Sequence, residues 1–273
     1  MAFPEWPEFP YENVSPQTMS MGRIVCIIPA RMAASRFPGK PLARIIGLPM
    51  IEHVRRRVTL CELLDDVVVA TCDEEIRGAV ERSGGRVIMT ADTHERCTDR
   101  IAEAAAKLDA EIVVNVQGDE PLVQPAMVEE VVRPLLEDPS LSSANLVTRI
   151  VDQEEFRDPN APKVVANRTG DVLYISREPI PSRQKAGTDD YVKLKQLGVI
   201  AFRAEFLKIF SQLPPTPLEK IESVDMMRAV EHGYRVRVVE TKHRMIGVDV
   251  PSDISRVERI LASDQLVERY IAQ

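Results

Sequence analysis

Three cations lie in one short loop that follows a hydrophobic run of strand length. The run covers residues 24–28, and the cations are Arg31, Arg36 and Lys40. Small residues, Pro and Gly between the cations allow the backbone to approach phosphates closely, and the cations neutralise phosphate charge. The loop lacks the glycine spacing of dinucleotide folds and the Gly-Lys-Ser/Thr ending of a P-loop. A solvated surface turn can carry the same charges, but the preceding strand favours a nucleoside triphosphate site.

Two carboxylates each follow a predicted strand. Asp119 comes directly after the buried run 112–116, where Gly118 allows a tight turn. Asp249 follows a second short run and precedes a helix start with Pro251 and a predicted Ser252 cap. Carboxylate oxygens suit Mg²⁺, which takes one or two from protein and completes its shell with water and phosphate. A polar turn would contain similar residues, but the position at strand ends favours a magnesium site.

Together these groups suit a nucleotidyl transfer. A hydroxyl of an acceptor would attack the α-phosphorus of the triphosphate, and pyrophosphate would leave. Such reactions need charge neutralisation and in-line placement more than a covalent nucleophile. None of the four histidines lies in a triad-like setting, so a histidine base is not expected. The candidate catalytic residues are Lys40, Asp119, Asp249 and Arg36.

The elements that position these residues alternate between strands and helices in the first half of the chain. Periodicity predicts strands at 66–71, 86–89 and 112–116 and helices at 49–60, 74–83 and 99–108. This alternation is typical of an α/β fold with a largely parallel sheet and helices on both faces. Ligands bind at the carboxyl ends of such strands, which draws attention to the loops 29–40, 71–74 and 117–121.

The second half changes character. Shorter strands of mixed orientation are predicted at 144–149, 163–167, 172–176, 197–202 and 236–239, and helices at 204–212 and 218–232. No linker-like composition separates the halves. We therefore expect one domain, residues 23–273, in which the second half completes the sheet and covers the cleft. Residues 1–22 are predicted to form an extension outside the fold.

Composition narrows the class of protein further. The net charge of −7 makes a broad nucleic-acid surface unexpected. No run approaches the roughly 20 apolar residues that a membrane span requires. The four cysteines show no Cys-x-x-Cys pairing, as expected of reduced thiols. We expect a cytoplasmic protein that binds small molecules and neither nucleic acid nor membrane.

These motifs jointly resemble the 3-deoxy-manno-octulosonate cytidylyltransferase family, also called CMP-Kdo synthetases, from residue 23 to about 261. The set is highly specific. It consists of Ile28-Pro29-Ala30-Arg31, Ser35-Arg36, Pro38-Gly39-Lys40-Pro41, Val69-Ala70-Thr71, Thr98-Asp99-Arg100, Val114-Asn115-Val116-Gln117-Gly118-Asp119-Glu120-Pro121, Leu173-Tyr174-Ile175-Ser176-Arg177, Gln196-Leu197-Gly198-Val199, Leu218-Glu219 and Val248-Asp249.

The resemblance implies a single-domain nucleotide-diphospho-sugar transferase fold, which is Rossmann-like, and a homodimer that uses CTP and Mg²⁺. Its product would be a CMP-sugar of lipopolysaccharide biosynthesis, formed from a 3-deoxy-2-keto sugar acid such as Kdo. It implies that Asp119 and Asp249 hold the metal. The implied nucleotide-binding residues are Pro29, Ala30, Arg31, Ser35, Arg36, Lys40, Asp73, Thr98, Arg100 and Gln117, and the implied acceptor-binding residues are Gln117, Arg177, Gln196 and Asp225.

Departures from the family pattern concentrate on the acceptor side. The family usually has Ser-Gly where Arg96-Cys97 stand, His at Gln196, Tyr at Ile200 and Gln at Met226. Polar pockets reject mismatched ligands because an unpaired buried group costs about 1–3 kcal/mol. Three interpretations remain open: drift within an ordinary Kdo enzyme, a different acidic acceptor such as another sugar acid or a phosphonate, and a nucleotide-binding protein without catalysis.

Overall fold

The computed structural model of the chain describes residues 22–33, 36–182, 185 and 191–271, and these form a twisted sheet between two layers of helices. The predicted extension therefore lies outside the described residues, apart from Gly22. The strands are β1 Ile24–Pro29, β2 Arg44–Ile45, β3 Leu48–Pro49, β4 Asp66–Thr71, β5 Arg86–Met89, β6 Ile112–Val116, β7 Ser143–Arg149, β8 Lys163–Ala166, β9 Val172–Ser176, β10 Leu194–Arg203 and β11 Val236–Glu240.

Nine of these strands form one sheet, whose main path runs β11-β7-β10-β6-β1-β4-β5. In the first half, β1 pairs in parallel with β4 and β6, and β4 pairs in parallel with β5. All residues of β1 and β6 are buried, as continuous hydrophobic strands covered on both faces must be. The carboxyl ends of β1, β4 and β6 therefore meet at one edge of the sheet.

The second half of the chain extends the same sheet with mixed strand directions. β10 pairs antiparallel with β6 on one side and with β7 on the other, and β11 pairs in parallel with β7. β8 and β9 form an antiparallel pair attached to β10. The mixed, mostly parallel α/β sheet predicted from the sequence is confirmed.

Helices cover both faces, as predicted. Apolar side chains of α1, α2 and α4 pack on one face, and those of α3, α6 and α8 pack on the other. Among the described residues, no helix is both long enough and apolar enough to cross a bilayer. The helices are α1 Met50–Thr59, α2 Glu74–Arg82, α3 Cys97–Ala105, α4 Pro125–Glu137, α5 Gln153–Arg157, α6 Ala204–Phe210, α7 Pro217–Glu222, α8 Met226–Glu231 and α9 Asp253–Leu261.

The helix predicted at 218–232 is wrong as a single element. It is divided into α7 and α8 at Ser223, which adopts a left-handed conformation with φ of 52°. At the start of α7, the Glu219 carboxylate accepts the Thr216 N–H at 3.2 Å, and the Glu219 N–H donates to the Glu231 carboxylate of α8 at 3.2 Å, which ties the two short helices together. The resulting corner turns Asp225 toward the start of α3.

The C-terminal segment forms a third apolar cluster beneath the cation loop. Val257 and Leu261 of α9 pack with Ile45 and Met50, which follow the loop in sequence. Ser252 is the N-cap residue of α9, as predicted, but its side chain makes no capping bond. The carboxylate of Asp253 instead accepts the N–H groups of Asp249 and Val250 at 2.8 and 2.9 Å. This turn holds Asp249 beside the loop.

Candidate active site

A cavity of about 240 Å³ lies where the carboxyl ends of β1 and β6 face the start of α3. This is the edge at which ligands bind in open α/β sheets. The predicted site residues that line it are Pro29, Ala30, Arg31, Arg36, Lys40, Arg100, Gln117, Asp119 and Asp249. Ser35 lies outside the described residues.

The cation loop and the two carboxylates meet in this cavity. Lys40 Nζ donates to Asp119 Oδ2 at 2.6 Å and to the carbonyl of Val248 at 2.9 Å. Arg36 donates to Asp249 Oδ1 at 2.8 Å. Gly39, with φ of 75°, provides the left-handed turn that places Lys40. Three segments that are distant in sequence therefore bring together two cations and two anions.

Arg31 also lines the cavity but has no ion pair among the residues that the structure describes. Its side chain is free to meet a ligand. The loop that contains it is fixed at Met32, whose N–H donates to Asp73 Oδ2 at 2.8 Å. Asp73 does not line the cavity. Its observed contact is with the loop, so it supports the loop backbone from β4.

The turn after β6 approaches the cation loop more closely than any side chain would permit. A Cβ atom on Gly118 would lie 2.7 Å from the carbonyl oxygen of Pro29. Replacement of this glycine would therefore force β1 and the β6 turn apart. The close approach places Gln117 and Asp119 on the same wall as the backbone of Pro29 and Ala30.

The start of α3 forms the opposite wall. Arg100 is buried, and its Nη1 donates to Thr90 Oγ1 and to the carbonyl of Ala91. Its Nη2 is buried with no hydrogen-bond partner in the described structure. Thr98 does not line the cavity, and its N–H and Oγ1 both donate to Asp225 Oδ2. Burial raises the pKa of Asp225, and the two bonds from Thr98 oppose that rise.

The structure does not bring all the predicted acceptor residues to the cavity. The Arg177 guanidinium donates to the carbonyls of Pro159, Glu222 and Ser223. Gln196 Nε2 donates to Asn145 Oδ1 at 2.6 Å. Both side chains are thus occupied within the protein, and a direct contact of either with an acceptor stays a prediction.

Sequence reasoning assigned no role in the site to His94 and Glu95, and it singled out Arg96 and Cys97 as departures from the family pattern without placing them in the cavity. His94, Glu95, Arg96 and Cys97 line the wall, and the first three also line a neighbouring cavity of about 550 Å³. Arg96 Nη1 donates to Ser223 Oγ at 2.9 Å. Residue type alone does not show that the side chains of Arg96 and Cys97 face this cavity.

The loop before α3 is held by Glu103, which predicts an acid-sensitive contact. Burial alone raises the pKa of Glu103, but hydrogen bonds from Lys107, the Ala91 N–H and His94 outweigh it and lower the pKa from 4.5 to about 2. The stabilisation is therefore present above about pH 4.5 and is lost as the pH falls toward 2. We expect Glu103→Gln to lower the urea midpoint at pH 7, with the gap from wild type closing as the pH falls. Glu268→Gln, at an exposed carboxylate, is the control, and a gap independent of pH would contradict the prediction.

The fold and this cavity define a nucleotide-binding α/β transferase: a cation loop after β1, paired carboxylates and a parallel sheet edge. Comparison with known proteins agrees and is more specific. The family model described as cytidylyltransferase matches residues 25–242.

Individual relatives give the same result. The chain is 46% identical over 253 residues to a 3-deoxy-manno-octulosonate cytidylyltransferase of Geobacter metallireducens, covering 89% of this chain and 100% of the relative. It is 49% identical over 244 residues to that of Syntrophus aciditrophicus, covering 88% and 98%.

Solved structures are also similar. A CMP:2-keto-3-deoxy-manno-octonic acid synthetase complexed with CTP has a TM-score of 0.82 and 39% identity, covering 88% of this chain and 98% of the other. A cytidylyltransferase from Leptospira borgpetersenii has a TM-score of 0.60 at 14% identity, covering 89% and 87%, and supports the fold alone. The chain therefore belongs to the 3-deoxy-manno-octulosonate cytidylyltransferase family and is a CTP-dependent nucleotidyltransferase.

Proposed function

We propose that this protein transfers CMP from CTP to a 3-deoxy-2-keto sugar acid, Kdo or a close relative, and releases pyrophosphate. One observation carries the proposal: Lys40 and Arg36 converge with Asp119 and Asp249 at one edge of the sheet. The names of the similar proteins, which specify Kdo and CTP, support the same substrates.

The reaction needs a hydroxyl oxygen of the acceptor to form a bond to the α-phosphorus. The bond from that phosphorus to the bridging oxygen breaks, and pyrophosphate leaves with the electron pair. Arg31, Arg36 and Lys40 would neutralise the triphosphate as charge builds on the leaving group. Gly118 packs directly against the Pro29 carbonyl, so the turn after β6 and the end of β1 hold fixed positions relative to each other beside the nucleotide.

The residues at this edge fit a magnesium ion. Asp119 and Asp249 both line the cavity, and carboxylate oxygens are the ligands that Mg²⁺ prefers. Next to them, Glu120 Oε2 is buried without a hydrogen-bond partner among the described residues, and burial together with Asp119 raises the pKa of Glu120 to about 8. At this edge of the sheet, the described residues therefore offer more carboxylate oxygens than hydrogen-bond donors to satisfy them. Magnesium held by Asp119 and Asp249 would add positive charge at the triphosphate and lower the pKa of an acceptor hydroxyl.

A second candidate is the same transfer to a different acidic acceptor. Arg96 favours it, because its guanidinium stands on the wall shared by both cavities while Arg177 is bonded to three carbonyls. Arg96 is 3.9 Å from carboxylate oxygens of both Glu219 and Asp225, and this surrounding negative charge would disfavour a strongly anionic group such as a phosphonate.

Magnesium-dependent pyrophosphate release from CTP tests these alternatives. The acceptor panel is Kdo, its amino analogue, other 2-keto-3-deoxy sugar acids and small phosphonates. Release with Kdo at ordinary efficiency supports the first candidate, and release with only another acid supports the second. No release with any acceptor, despite CTP binding measured by calorimetry, would contradict both and support a nucleotide-binding protein without catalysis.

A homodimer and a cytoplasmic location belong to the same proposal. Exposed apolar side chains at Leu173 of β9 and Ile221 of α7 support an interface, because the Tyr174–Glu222 hydrogen bond joins these two elements. Light scattering of the full chain that shows only monomer would contradict the dimer.

A further inference from the structure

β10 contains a wide irregularity beside the cavity. Gln196 lies opposite Val147 on β7, and Ile200 lies opposite Asn145. The three residues 197–199 therefore face a single residue of β7, and we call this segment the β10 bulge. Such bulges bend a strand and redirect its neighbours, which makes them common beside active sites. The bulge leaves carbonyl groups that the regular ladder does not satisfy.

Asn145 supplies hydrogen bonds to that bulge. Its Nδ2 donates to the carbonyls of Leu197 and Val199 at 3.1 and 3.3 Å. The amide is buried, with 1% of the residue exposed, so both of its ends need partners within the protein. The carbonyl end, Oδ1, has its partner in Gln196 Nε2 at 2.6 Å. This bond fixes which way the Asn145 amide faces and thus directs Nδ2 toward the bulge.

The centre of the bulge contacts Gln117. The Gly198 carbonyl accepts the Gln117 N–H at 2.9 Å. A Cβ on Gly198 would lie 2.6 Å from Gln117 Cγ, so the Gln117 side chain rests directly on the glycine. Cys97, the first residue of α3, lines the same cavity as Gln117. Gln117 is therefore held against the bulge by its backbone and its side chain, and it lines the cavity.

We propose that Gln196 is a positioning residue: through Asn145 it fixes the β10 bulge, and the bulge sets the orientation of Gln117 in the cavity. In this role Gln196 does not touch the acceptor. The departure from the family pattern at Gln196 then acts on Gln117 through Asn145 and the backbone of the β10 bulge. The proposal rests on the proposed transferase function for its kinetic consequences, but not for its structural ones.

Gln196→Met keeps the length of the side chain and removes the donor to Asn145 Oδ1. We expect kcat/KM for the acceptor to fall about tenfold, with the KM for CTP within twofold of wild type. Amide hydrogen exchange at Gln117, measured by NMR, should accelerate because its acceptor on Gly198 is no longer fixed. Gln196→His retains a ring N–H donor and should restore both values. Gln153→Met makes the same chemical change at an exposed position and should alter neither.

A double-variant cycle separates positioning from direct contact. If Gln196 acts through Asn145, the losses from Gln196→Met and Asn145→Leu should be strongly non-additive. Additive losses, or an unchanged Gln117 exchange rate in Gln196→Met, would overturn the proposal. The exchange measurement needs only folded protein. A wild-type chain that turns over no acceptor would thus refute the proposed function, while the exchange rates would still decide the role of Gln196.

Discussion

Asp119→Asn should lower magnesium-dependent turnover at least about a hundredfold while the fold remains intact. The substitution keeps the size of the side chain but removes the charge that pairs with Lys40 at 2.6 Å. It also removes one of the two carboxylates that we propose hold the metal. The pair is partly exposed, so the loss of stability should be small. Steady-state pyrophosphate release, with thermal unfolding of the same samples, measures both effects.

Two controls make this result specific. Asp92→Asn removes an exposed carboxylate outside the cavity and should leave turnover unchanged. Lys40→Met removes the other partner of the Asp119 ion pair. It should weaken CTP binding, measured by calorimetry, because it removes a cation that we propose neutralises the triphosphate. Undiminished turnover in Asp119→Asn at limiting magnesium would contradict the assignment of the metal to this edge.

The parallel half of the sheet was predictable because most of its strand residues are buried, apart from those of the edge strand β5. The predicted bounds 66–71, 86–89 and 112–116 are those of β4, β5 and β6. Continuous β-branched runs between turn residues leave little alternative to a covered parallel strand. The cation loop was predictable for a related reason, since its charges and turn residues are adjacent in sequence. In both cases the deciding information is local.

Elements decided by tertiary contacts were not predictable in the same way. α4 was assigned no element from sequence, and prolines stand at its first position and inside it, at Pro125 and Pro134. The division between α7 and α8 depends on Ser223 in a conformation that non-glycine residues rarely adopt. Helical periodicity alone carries no sign of that turn.

The acceptor side of the site shows the same limit. Local sequence identifies Arg177 and Gln196 as polar groups near strands, but their partners are 18 to 51 residues away. Arg177 is bonded to three carbonyls, and Gln196 is bonded to Asn145. Residue type alone could not distinguish a side chain that meets a ligand from one that orients its neighbour.

Arg228→Met should destabilise the protein by about 3–5 kcal/mol, because it leaves the buried Glu219 carboxylate without its nearest cation. Arg228 donates to both oxygens of Glu219 at 2.6 and 2.8 Å and to Asp99 at 2.9 Å. Glu219 and Arg228 are 1% and 3% exposed, and the guanidinium also stacks on Phe210. The network ties the α7–α8 corner to α3, so the substitution loosens the wall that contains Arg100 and Cys97. Urea unfolding followed by circular dichroism measures the loss.

A second variant tests whether uncompensated charge causes the loss of stability in Arg228→Met. If uncompensated charge is the cause, adding Glu219→Gln to Arg228→Met should recover part of the stability, although a second contact has been removed. Arg235→Met, at an arginine whose side chain is 49% exposed, should cost less than about 0.5 kcal/mol. Two results would contradict the charge mechanism. One is a loss of unfolding free energy below about 1 kcal/mol for Arg228→Met, and the other is a double variant less stable than either single variant. In the expected case, the stability of the cavity wall at the start of α3 depends on a buried ion pair that also fixes where Asp225 meets α3.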